Sequence, residues 1–367
     1  MERNLKSLDK PDRNPAQFRS TLRNKLQPYT PVIMYILRRF GIYLITVWGA
    51  VTLAFIFFHS MPGDPFSIIF SALERENIGR VTGGPEVAAA YKRMLGLDQP
   101  LFIQYIFFLR NVLIRGFDLG PSFINFPQGT REVIFRQLPW TIGYFTTAML
   151  IAWGIGTLFG ALLGWMRRKG FTSVAIAIAT LLQITPVYII AIAAIILLGY
   201  QLQWLPTGQP YDPGLMPNWR DWNFIKNVLW HAIMPVSSMV LIWGASFTLG
   251  MRSLMISVLG EDYLTYANAK GLSPAIVLRD YAFRNALLPQ VTSLGIALGG
   301  TINGVLILEA IFVIPGIGGI FIRAMALHDF NVMQGVVLLS IVTVLTLGLI
   351  VDLFLPFLDP RIRRLND

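Results

Sequence analysis

The chain carries, at residues 261–289, the stretch EDYLTYANAKGLSPAIVLRDYAFRNALLP, which is polar, charged and prone to form helices. It lies between two segments that are apolar enough to span a membrane. A connection that only turns the chain needs few residues, whereas this one is long enough to build helices of its own. We expect a structured surface of this kind to be contacted by another protein.

The composition supports a membrane protein. Of 367 residues, 54% are hydrophobic and 14% are charged, and the mean hydropathy is positive. A soluble domain is about a quarter charged. Six stretches have the length of about 20 residues that a helix needs to cross about 30 Å of hydrocarbon. They lie at about Tyr35 to His59, Thr141 to Met166, Val174 to Leu198, Met234 to Ile256, Leu287 to Val313 and Val332 to Leu355.

The positive charge predicts the orientation of these spans. The net charge of +10 is not that of a nucleic-acid-binding domain, because the basic residues cluster between the spans and at the termini. Nine lysines and arginines precede Phe40, three lie at 167–169, four from Arg252 to Arg284, and three from Arg361 to Arg364. An even number of spans places all four clusters on one side, which the positive-inside rule identifies as the cytoplasm. Both termini are therefore predicted to be cytoplasmic.

This topology divides the chain into three parts. We predict a polar amino-terminal arm at 1–34, a transmembrane domain at 35–358 and a cytoplasmic tail at 359–367. Within the transmembrane domain, residues 62–139 form an external elaboration and residues 257–286 form the cytoplasmic loop that contains the helix-prone stretch. The external region is predicted to begin with a turn at 62–65 and to contain a helix from Pro85 and a short apolar helix at 101–109. A second external loop, 199–233, is rich in tryptophan, which favours the membrane interface.

The cytoplasmic loop has the signals of two short helices. Glu261 and Asp262 are placed where negative charge stabilises a helix start, and Gly271 where a left-handed residue ends one. Ser273 and Pro274 are typical of the cap and first position of a second helix. Ala267 lies four residues before Gly271, and this spacing predicts a shallow patch that another surface can approach closely.

Several kinds of chemistry are not expected from this sequence. It has no phosphate-binding motif of the G-x-x-x-x-G-K-[ST] type, so ATP hydrolysis is expected on other subunits. Cysteine is absent, and His59, His231 and His328 lack the spacing of metal ligands, so we expect no metal site and no cofactor on this chain. No grouping of Ser, His and Asp indicates a catalytic nucleophile.

The loop resembles that of permease subunits in binding-protein-dependent ABC importers, in the branch that transports peptides, nickel and some oligosaccharides. The resemblance rests on motifs that occur in the family's order along most of the chain. They are Pro62-Gly63-Asp64-Pro65, Asp118-Leu119-Gly120, Trp204-Leu205-Pro206-Thr207-Gly208, Glu261-Asp262-Tyr263 with Thr265, Ala267 and Ala269-Lys270-Gly271-Leu272-Ser273, Arg284-Asn285-Ala286-Leu287-Leu288-Pro289, Glu309, Phe312, Pro315-Gly316-Ile317-Gly318, Asp329, Gln334-Gly335, Asp352 and Asp359-Pro360-Arg361-Ile362-Arg363.

The resemblance implies an all-α integral membrane protein of six transmembrane helices with type I ABC importer permease architecture, in the inner membrane of a prokaryote. Its implied partners are a second, similar permease, two ATP-binding-cassette ATPases that hold ATP and Mg²⁺, an extracytoplasmic substrate-binding protein and the lipid bilayer, with no nucleic acid. A helix at about 262–271 would lie in a groove of an ATPase and couple ATP-driven closure to the spans. The residues implied in this coupling are Glu261, Asp262, Tyr263, Thr265, Ala267, Lys270, Gly271 and Leu272.

The sequence departs from the family pattern within this helix. Thr265-Tyr266-Ala267 stands where the broader family often has Glu-Ala-Ala, and Asn268 stands where the peptide branch often has a basic residue. The contacts of those family residues therefore do not transfer directly. Peptides are the expected cargo, with oligosaccharides or nickel as alternatives. A self-sufficient secondary transporter is a remote alternative, which would require a span broken at mid-membrane, and the sequence indicates at most a break near a span end.

Two acidic residues in the spans leave their roles open. Glu309 precedes Pro315 and Gly316, a break that could line an external gate, or Glu309 could serve helix packing. Asp352 lies near the cytoplasmic end of the last span, where it is expected to reach the interface or to meet Arg361 to Arg364.

Overall fold

A computed structural model describes residues 30–60, 99–122, 124–125, 128–166, 170–300 and 302–358. The predicted turn at 62–65, the predicted helix from Pro85, the basic cluster at 167–169, most of the arm at 1–34 and the tail at 359–367 lie outside these residues. The described part of the chain is helical and contains no β-strand.

The described part of the chain contains twelve helices and two π-helical segments, joined by loops. The helices are α1 Thr30–Ser60, α2 Leu101–Leu113, α3 Thr130–Trp165, α4 Gly170–Ile184, α5 Val187–Ala194, α6 Trp222–Val258, α7 Asp262–Ala269, α8 Pro274–Ile276, α9 Arg284–Gly300, α10 Ile302–Ile311, α11 Ile317–Ala326 and α12 Phe330–Leu358. Segment π1, Ile195–Gln201, continues α5, and segment π2, Val277–Phe283, connects α8 to α9.

Four described helices are long and apolar enough to cross a membrane, namely α1, α3, α6 and α12. Helix α4 with α5 and π1 makes a fifth span if this bent pair is counted as one. The predicted fifth span, 287–313, corresponds to α9 and α10, and residue 301 between them is outside the described part of the chain. An integral membrane protein is therefore established, whereas the number of six spans remains a prediction. Helix α2 is shorter than a span, as the sequence predicts.

The predicted third span is not one straight helix. Its two halves, α4 and the α5–π1 segment, meet at an angle of 99°. The break falls at Thr185 and Pro186, where Pro186 has φ −59° and ψ 135°. Proline has no N–H for the helical ladder and disfavours the helical conformation of the residue before it. The expectation that spans break only near their ends is therefore wrong, since this break lies in the middle of 174–198.

Helices α3 and α6 form the central pair of the fold, and glycine permits their close approach. A Cβ at Gly156 would lie 2.5 Å from the Gly244 oxygen, and one at Gly160 would lie 2.3 Å from the Thr248 oxygen. A Cβ at Gly164 would lie 2.5 Å from the Met255 Cβ. Small residues allow this kind of backbone contact in membrane bundles.

Polar contacts join α1 to the C-terminal part of α12, around Asp352. Arg39 Nη1 lies 3.1 Å from Asp352 Oδ2, and the Tyr35 hydroxyl donates to the Asp352 carbonyl oxygen at 3.0 Å. The expected contact of Asp352 with Arg361 to Arg364 falls on residues outside the described chain. Its partner among the described residues is Arg39, which a sequence pattern could not identify because the two residues lie near opposite ends of the chain.

The opposite end of α12 is joined to the loop between α2 and α3 by Asp329. This buried carboxylate accepts hydrogen bonds from the Ser122 hydroxyl at 2.8 Å and from the Ile124 N–H at 3.1 Å. Its other oxygen accepts from the Val332 N–H at 3.2 Å, as an N-cap does. Asn331 adds a hydrogen bond to the Pro121 carbonyl at 2.9 Å. The loop after α2 is thus fixed to the start of α12.

Candidate functional site

The first helix predicted within the loop at 257–286 is present as α7, Asp262–Ala269. Glu261 occupies the extended N-cap position, with φ −80° and ψ 144°, and Asp262 lies in the first turn. Gly271 has φ +73°, a left-handed conformation that favours glycine. The Gly271 N–H donates to the Asn268 carbonyl at 2.9 Å, so the helix ends where the sequence predicts.

A second helical segment begins three residues after Gly271, at Pro274. Ser273 lies at the N-cap position and Pro274 begins α8, although the Ser273 side chain makes no capping hydrogen bond. Helix α8 passes into π2, which leads without interruption into α9. The loop is therefore a chain of helical segments that connects the end of α6 to α9.

One side of helix α7 packs against a hydrophobic cluster. Leu264 and Ala267 are buried and pack in one cluster with Met255 of α6 and with Val277 and Ala282 of π2. This cluster reaches both neighbouring helices, so α7 cannot shift without moving the end of α6 and the start of the π2–α9 segment.

A polar contact joins the same elements. The Asn285 side-chain amide donates to the Tyr263 hydroxyl at 3.1 Å and to the Tyr281 carbonyl oxygen at 2.7 Å. Asn285 lies in the first turn of α9, and Tyr263 lies in α7. The contact therefore reinforces the connection between α7 and α9.

The predicted shallow patch of Ala267 and Gly271 is not present as predicted. Ala267 is 2% exposed and faces the hydrophobic cluster, whereas Gly271 is exposed. A spacing of four places two residues on one helical face only while the helix continues, and α7 ends at Ala269. Of the other residues implied in coupling, Tyr263 and Leu272 are half-buried. The exposed ones are Glu261, Asp262, Thr265, Lys270 and Gly271.

Sequence reasoning missed the most prominent side chain of the exposed face. Tyr266 is 71% exposed, between exposed Thr265 and buried Ala267. Leu264 and Ala267, three residues apart, indicate the buried face of a short helix, and this signal could have placed Tyr266 on the opposite side. A large exposed aromatic side chain on a polar surface is typical of a contact with another protein.

The outer surface next to α7 carries an ion pair. Arg279 Nε lies 2.7 Å from Asp280 Oδ1, and Nη2 lies 2.9 Å from Oδ2. The hydrogen bond from Arg279 lowers the pKa of Asp280, and the same contact raises the pKa of Arg279. Asp280 therefore offsets the charge of Arg279 on this surface.

The second candidate site surrounds Glu309, which is 1% exposed. Its Oε1 accepts a hydrogen bond from the Thr141 hydroxyl, and its Oε2 accepts one from the Gly318 N–H, both at 2.6 Å. The Thr141 oxygen in turn accepts from the Ile317 N–H at 2.9 Å. A Cβ on Gly316 would lie 2.3 Å from three atoms of the Glu309 carboxyl group, so only glycine fits there.

This arrangement caps the N-terminus of α11. The first N–H groups of a helix have no partner within the helix, and a carboxylate is stabilised there by the helix dipole. Glu309 therefore connects α10 to α11 and, through Thr141, to α3. Pro315 lies in the turn between α10 and α11. The contacts are those of the packing alternative, and a gating role for Glu309, Pro315 and Gly316 remains a prediction.

Comparison with known proteins identifies similar proteins along most of this chain. Residues 156–364 match the family described as the binding-protein-dependent transport system inner membrane component. The dipeptide transport system permease protein DppB of Bacillus subtilis is 32% identical over 330 residues, which cover 90% of this chain and 97% of the relative. DppB of Escherichia coli is also 32% identical, over 348 residues that cover 90% of this chain and 99% of the relative. The oligopeptide transport system permease protein OppB of Haemophilus influenzae is 29% identical, with 90% of this chain and 100% of the relative covered.

Proposed function

Because this chain belongs to the family of binding-protein-dependent transport system inner membrane components, we propose that it is the permease subunit of an ATP-driven importer of peptides. The relatives named above transport dipeptides or oligopeptides and are similar over nearly their whole length. None of them is named for oligosaccharides or nickel. The chain is a transport subunit and not an enzyme, and ATP is hydrolysed by separate subunits.

The membrane topology that accompanies this function has six spans with both termini in the cytoplasm. The four clusters of lysine and arginine in the sequence support this orientation. In it, the end of α6, the whole of α7 and the start of α9 lie at the cytoplasmic surface. Residues 62–139 then lie outside, as an elaboration that faces the substrate-binding protein.

The coupling element is α7. The observation that carries this proposal is that one side of α7 is buried against α6 and π2, whereas the other side is polar and exposed. Leu264 and Ala267 anchor it to α6 and π2, whereas Thr265 and Tyr266 are exposed. An ATPase subunit that binds the exposed face of α7 displaces α7 when it closes on ATP. The connected ends of α6 and α9 move together with α7. The cargo path between the permeases changes because those helices are displaced.

The complete importer contains several further chains. A second permease of the same family lies beside this one, two ATPases hold ATP and Mg²⁺ at the cytoplasmic face, and an extracytoplasmic substrate-binding protein delivers the peptide. The absence of a phosphate-binding motif from the sequence supports the assignment of ATP to the partners.

A pair of matched substitutions tests the coupling role. Thr265→Arg places a long charged side chain on the open face of α7, and we expect ATP-driven uptake of a labelled dipeptide into proteoliposomes to fall at least tenfold. Ala275→Arg places the same side chain on exposed α8 and is the control. Ala267→Arg is unsuitable, because its buried side chain would disrupt the cluster behind α7. Equal uptake by Thr265→Arg and the parent complex would contradict the role of α7.

Crosslinking provides a direct test of the partner. The chain contains no cysteine, so Tyr266→Cys introduces a single reactive thiol on the exposed face of α7. We expect a short bifunctional reagent to join this residue to an ATPase subunit, with a yield that changes between ATP-bound and nucleotide-free complexes. A complex that never yields this product, in any nucleotide condition, would overturn the proposal.

The gating role of Glu309, Pro315 and Gly316 has its own test. Glu309→Gln keeps the size of the side chain and removes its charge. A gate that depends on this charge requires a change in peptide uptake or in the ATP hydrolysed per peptide. If both are unchanged in a folded variant, Glu309 acts in packing alone.

A further inference from the structure

A cavity of about 420 Å³ opens at the end of α6 that is far from α7. Its walls include Trp204 and Thr207 from the loop after π1, and Trp230 and His231 from α6, with Asp212 at its edge. Trp230 and His231 lie near the start of α6, Trp222–Val258, so at about 1.5 Å per residue this cavity lies about 40 Å along the helix from the coupling end.

The loop wall of the cavity is fixed by the backbone. The Trp204 N–H donates to the Leu198 carbonyl at 2.9 Å, and Gln203 has φ +53°. Gly199 has no room for a side chain, since its Cβ would lie 2.5 Å from Thr207 Cγ2. The cavity is therefore preformed, and a ligand does not have to order the loop on binding.

When the His231 ring is neutral, two hydrogen-bond acceptors of the cavity face each other with no donor between them. His231 is buried, and its Nδ1 lies 2.9 Å from the Asn227 carbonyl oxygen. A carbonyl oxygen only accepts, so Nδ1 carries the hydrogen, and Nε2 of the neutral ring is an acceptor. This Nε2 lies 3.4 Å from Asp212 Oδ1, which is also an acceptor. A donor placed between these two atoms would bind to both.

The carboxylate is held in place for such a donor. Its Oδ2 accepts from the Asn227 side-chain amide at 2.6 Å, and the Asp212 N–H donates to the Asn227 side-chain oxygen at 2.9 Å. No lysine or arginine is among the described residues that line the cavity. Two tryptophans line it, and indole rings attract cations.

From these contacts we propose that the cavity binds a primary ammonium group between Asp212 Oδ1 and His231 Nε2, beside Trp204 and Trp230. This chemistry is shared by the amino terminus of a peptide and by an ethanolamine lipid headgroup. The assignment of a peptide amino terminus to this site rests on the proposed function. A peptide bound in this way would be oriented at the far end of α6. A His231 ring that carries hydrogens on both nitrogens would itself donate from Nε2 to Asp212, and it would leave no acceptor on the ring for the amine.

The test measures the binding of phenethylammonium to the purified importer complex in phosphatidylcholine nanodiscs. Isothermal titration calorimetry gives its affinity. We expect Asp212→Asn to weaken binding about tenfold, because it removes the charge from a charge-assisted hydrogen bond while keeping an acceptor for Asn227. Glu132→Gln removes the same charge from an exposed position outside the cavity and should bind like the parent. N-acetylphenethylamine, which is neutral, should not bind.

Three results would overturn the proposal: no binding of phenethylammonium, equal binding of its acetylated form, or equal binding by the Asp212→Asn variant. Competition identifies the source of the amine. Displacement of the probe by alanyl-phenylalanine supports a peptide amino terminus, and displacement by phosphatidylethanolamine added to the nanodiscs supports a lipid headgroup.

Failure of this inference is distinguishable from failure of the proposed function. ATP-driven dipeptide uptake with no amine binding leaves the importer function intact and removes the site. Amine binding that depends on Asp212, in a complex without ATP-driven uptake, leaves the site and removes the peptide importer.

Discussion

Replacement of Thr141 by valine is expected to destabilise the junction of α3, α10 and α11. Valine has nearly the shape of threonine, so no cavity forms, but the hydroxyl that connects Glu309 to the Ile317 N–H is lost. The bond to the carboxylate is charge-assisted and is worth about 1.5–3 kcal/mol. The buried Ile317 N–H is left without its partner, which costs about 1–3 kcal/mol more.

We expect a total loss of about 3 kcal/mol in the free energy of unfolding. Neutral interhelical hydrogen bonds in membrane proteins average about 0.6 kcal/mol in double-mutant cycles. The effect of Thr141→Val is larger because the acceptor is a carboxylate and because a backbone donor is left unpaired. The matched control is Thr180→Val on α4, whose exposed hydroxyl donates only to the Ile176 carbonyl of its own helix at 2.8 Å. We expect that variant to change stability by less than about 0.5 kcal/mol.

The assay is unfolding of the purified chain in mixed micelles with increasing sodium dodecyl sulfate, followed by tryptophan fluorescence. Trp140 lies next to the mutated position and reports on it. A double-mutant cycle with Glu309→Gln should give a coupling energy of about 1–2 kcal/mol, since the two side chains are in contact. The reasoning is refuted if Thr141→Val is no more destabilising than Thr180→Val, or if the two substitutions are additive.

The remaining predictions concern glycines. Gly160→Ala should destabilise the chain by about 3 kcal/mol, because the new Cβ would meet the Thr248 carbonyl of α6 at 2.3 Å, whereas Gly154→Ala meets nothing within 4 Å and should stabilise α3 by up to about 1 kcal/mol. The same unfolding assay measures both, and equal effects would contradict the α3–α6 packing. Gly271→Ala should cost about 1 kcal/mol, since φ is +73° although the space is open, and Gly271→Asn should cost less. A neutral Gly271→Ala would argue against the left-handed end of α7.

The α7 region shows how far local sequence reaches. Glu261, Gly271 and the Ser273–Pro274 pair act on neighbours within one helical turn, so the bounds of α7 and the start of α8 could be predicted from these residues alone. The direction in which Ala267 faces could not, because it depends on the cluster formed by α6 and π2. The surface predicted to contact an ATPase therefore included the buried Ala267 and left out the exposed Tyr266.

The predicted third span shows the converse case, in which the sequence contained a local signal for a break that hydropathy outweighed. Pro186 lies in the middle of an apolar stretch, and hydropathy alone favours one continuous helix through it. A window of apolar residues measures the preference for lipid and carries no information about the direction of the backbone. The 99° bend follows from the missing N–H of proline.

By itself, the sequence determined that this chain is a helical membrane protein of the permease family, where helix α7 begins and ends, and that it has no G-x-x-x-x-G-K-[ST] motif. These properties depend on hydropathy, on residues within one turn of each other and on motifs in order. Only the tertiary structure decided the partners of the polar groups: Thr141 with Glu309, Ser122 with Asp329, Arg39 with Asp352 and Asp212 with His231. A buried polar group must find a partner because an unpaired one is costly in an apolar environment, but the chain brings distant residues together only by folding, so the choice of partner is a property of the packed bundle.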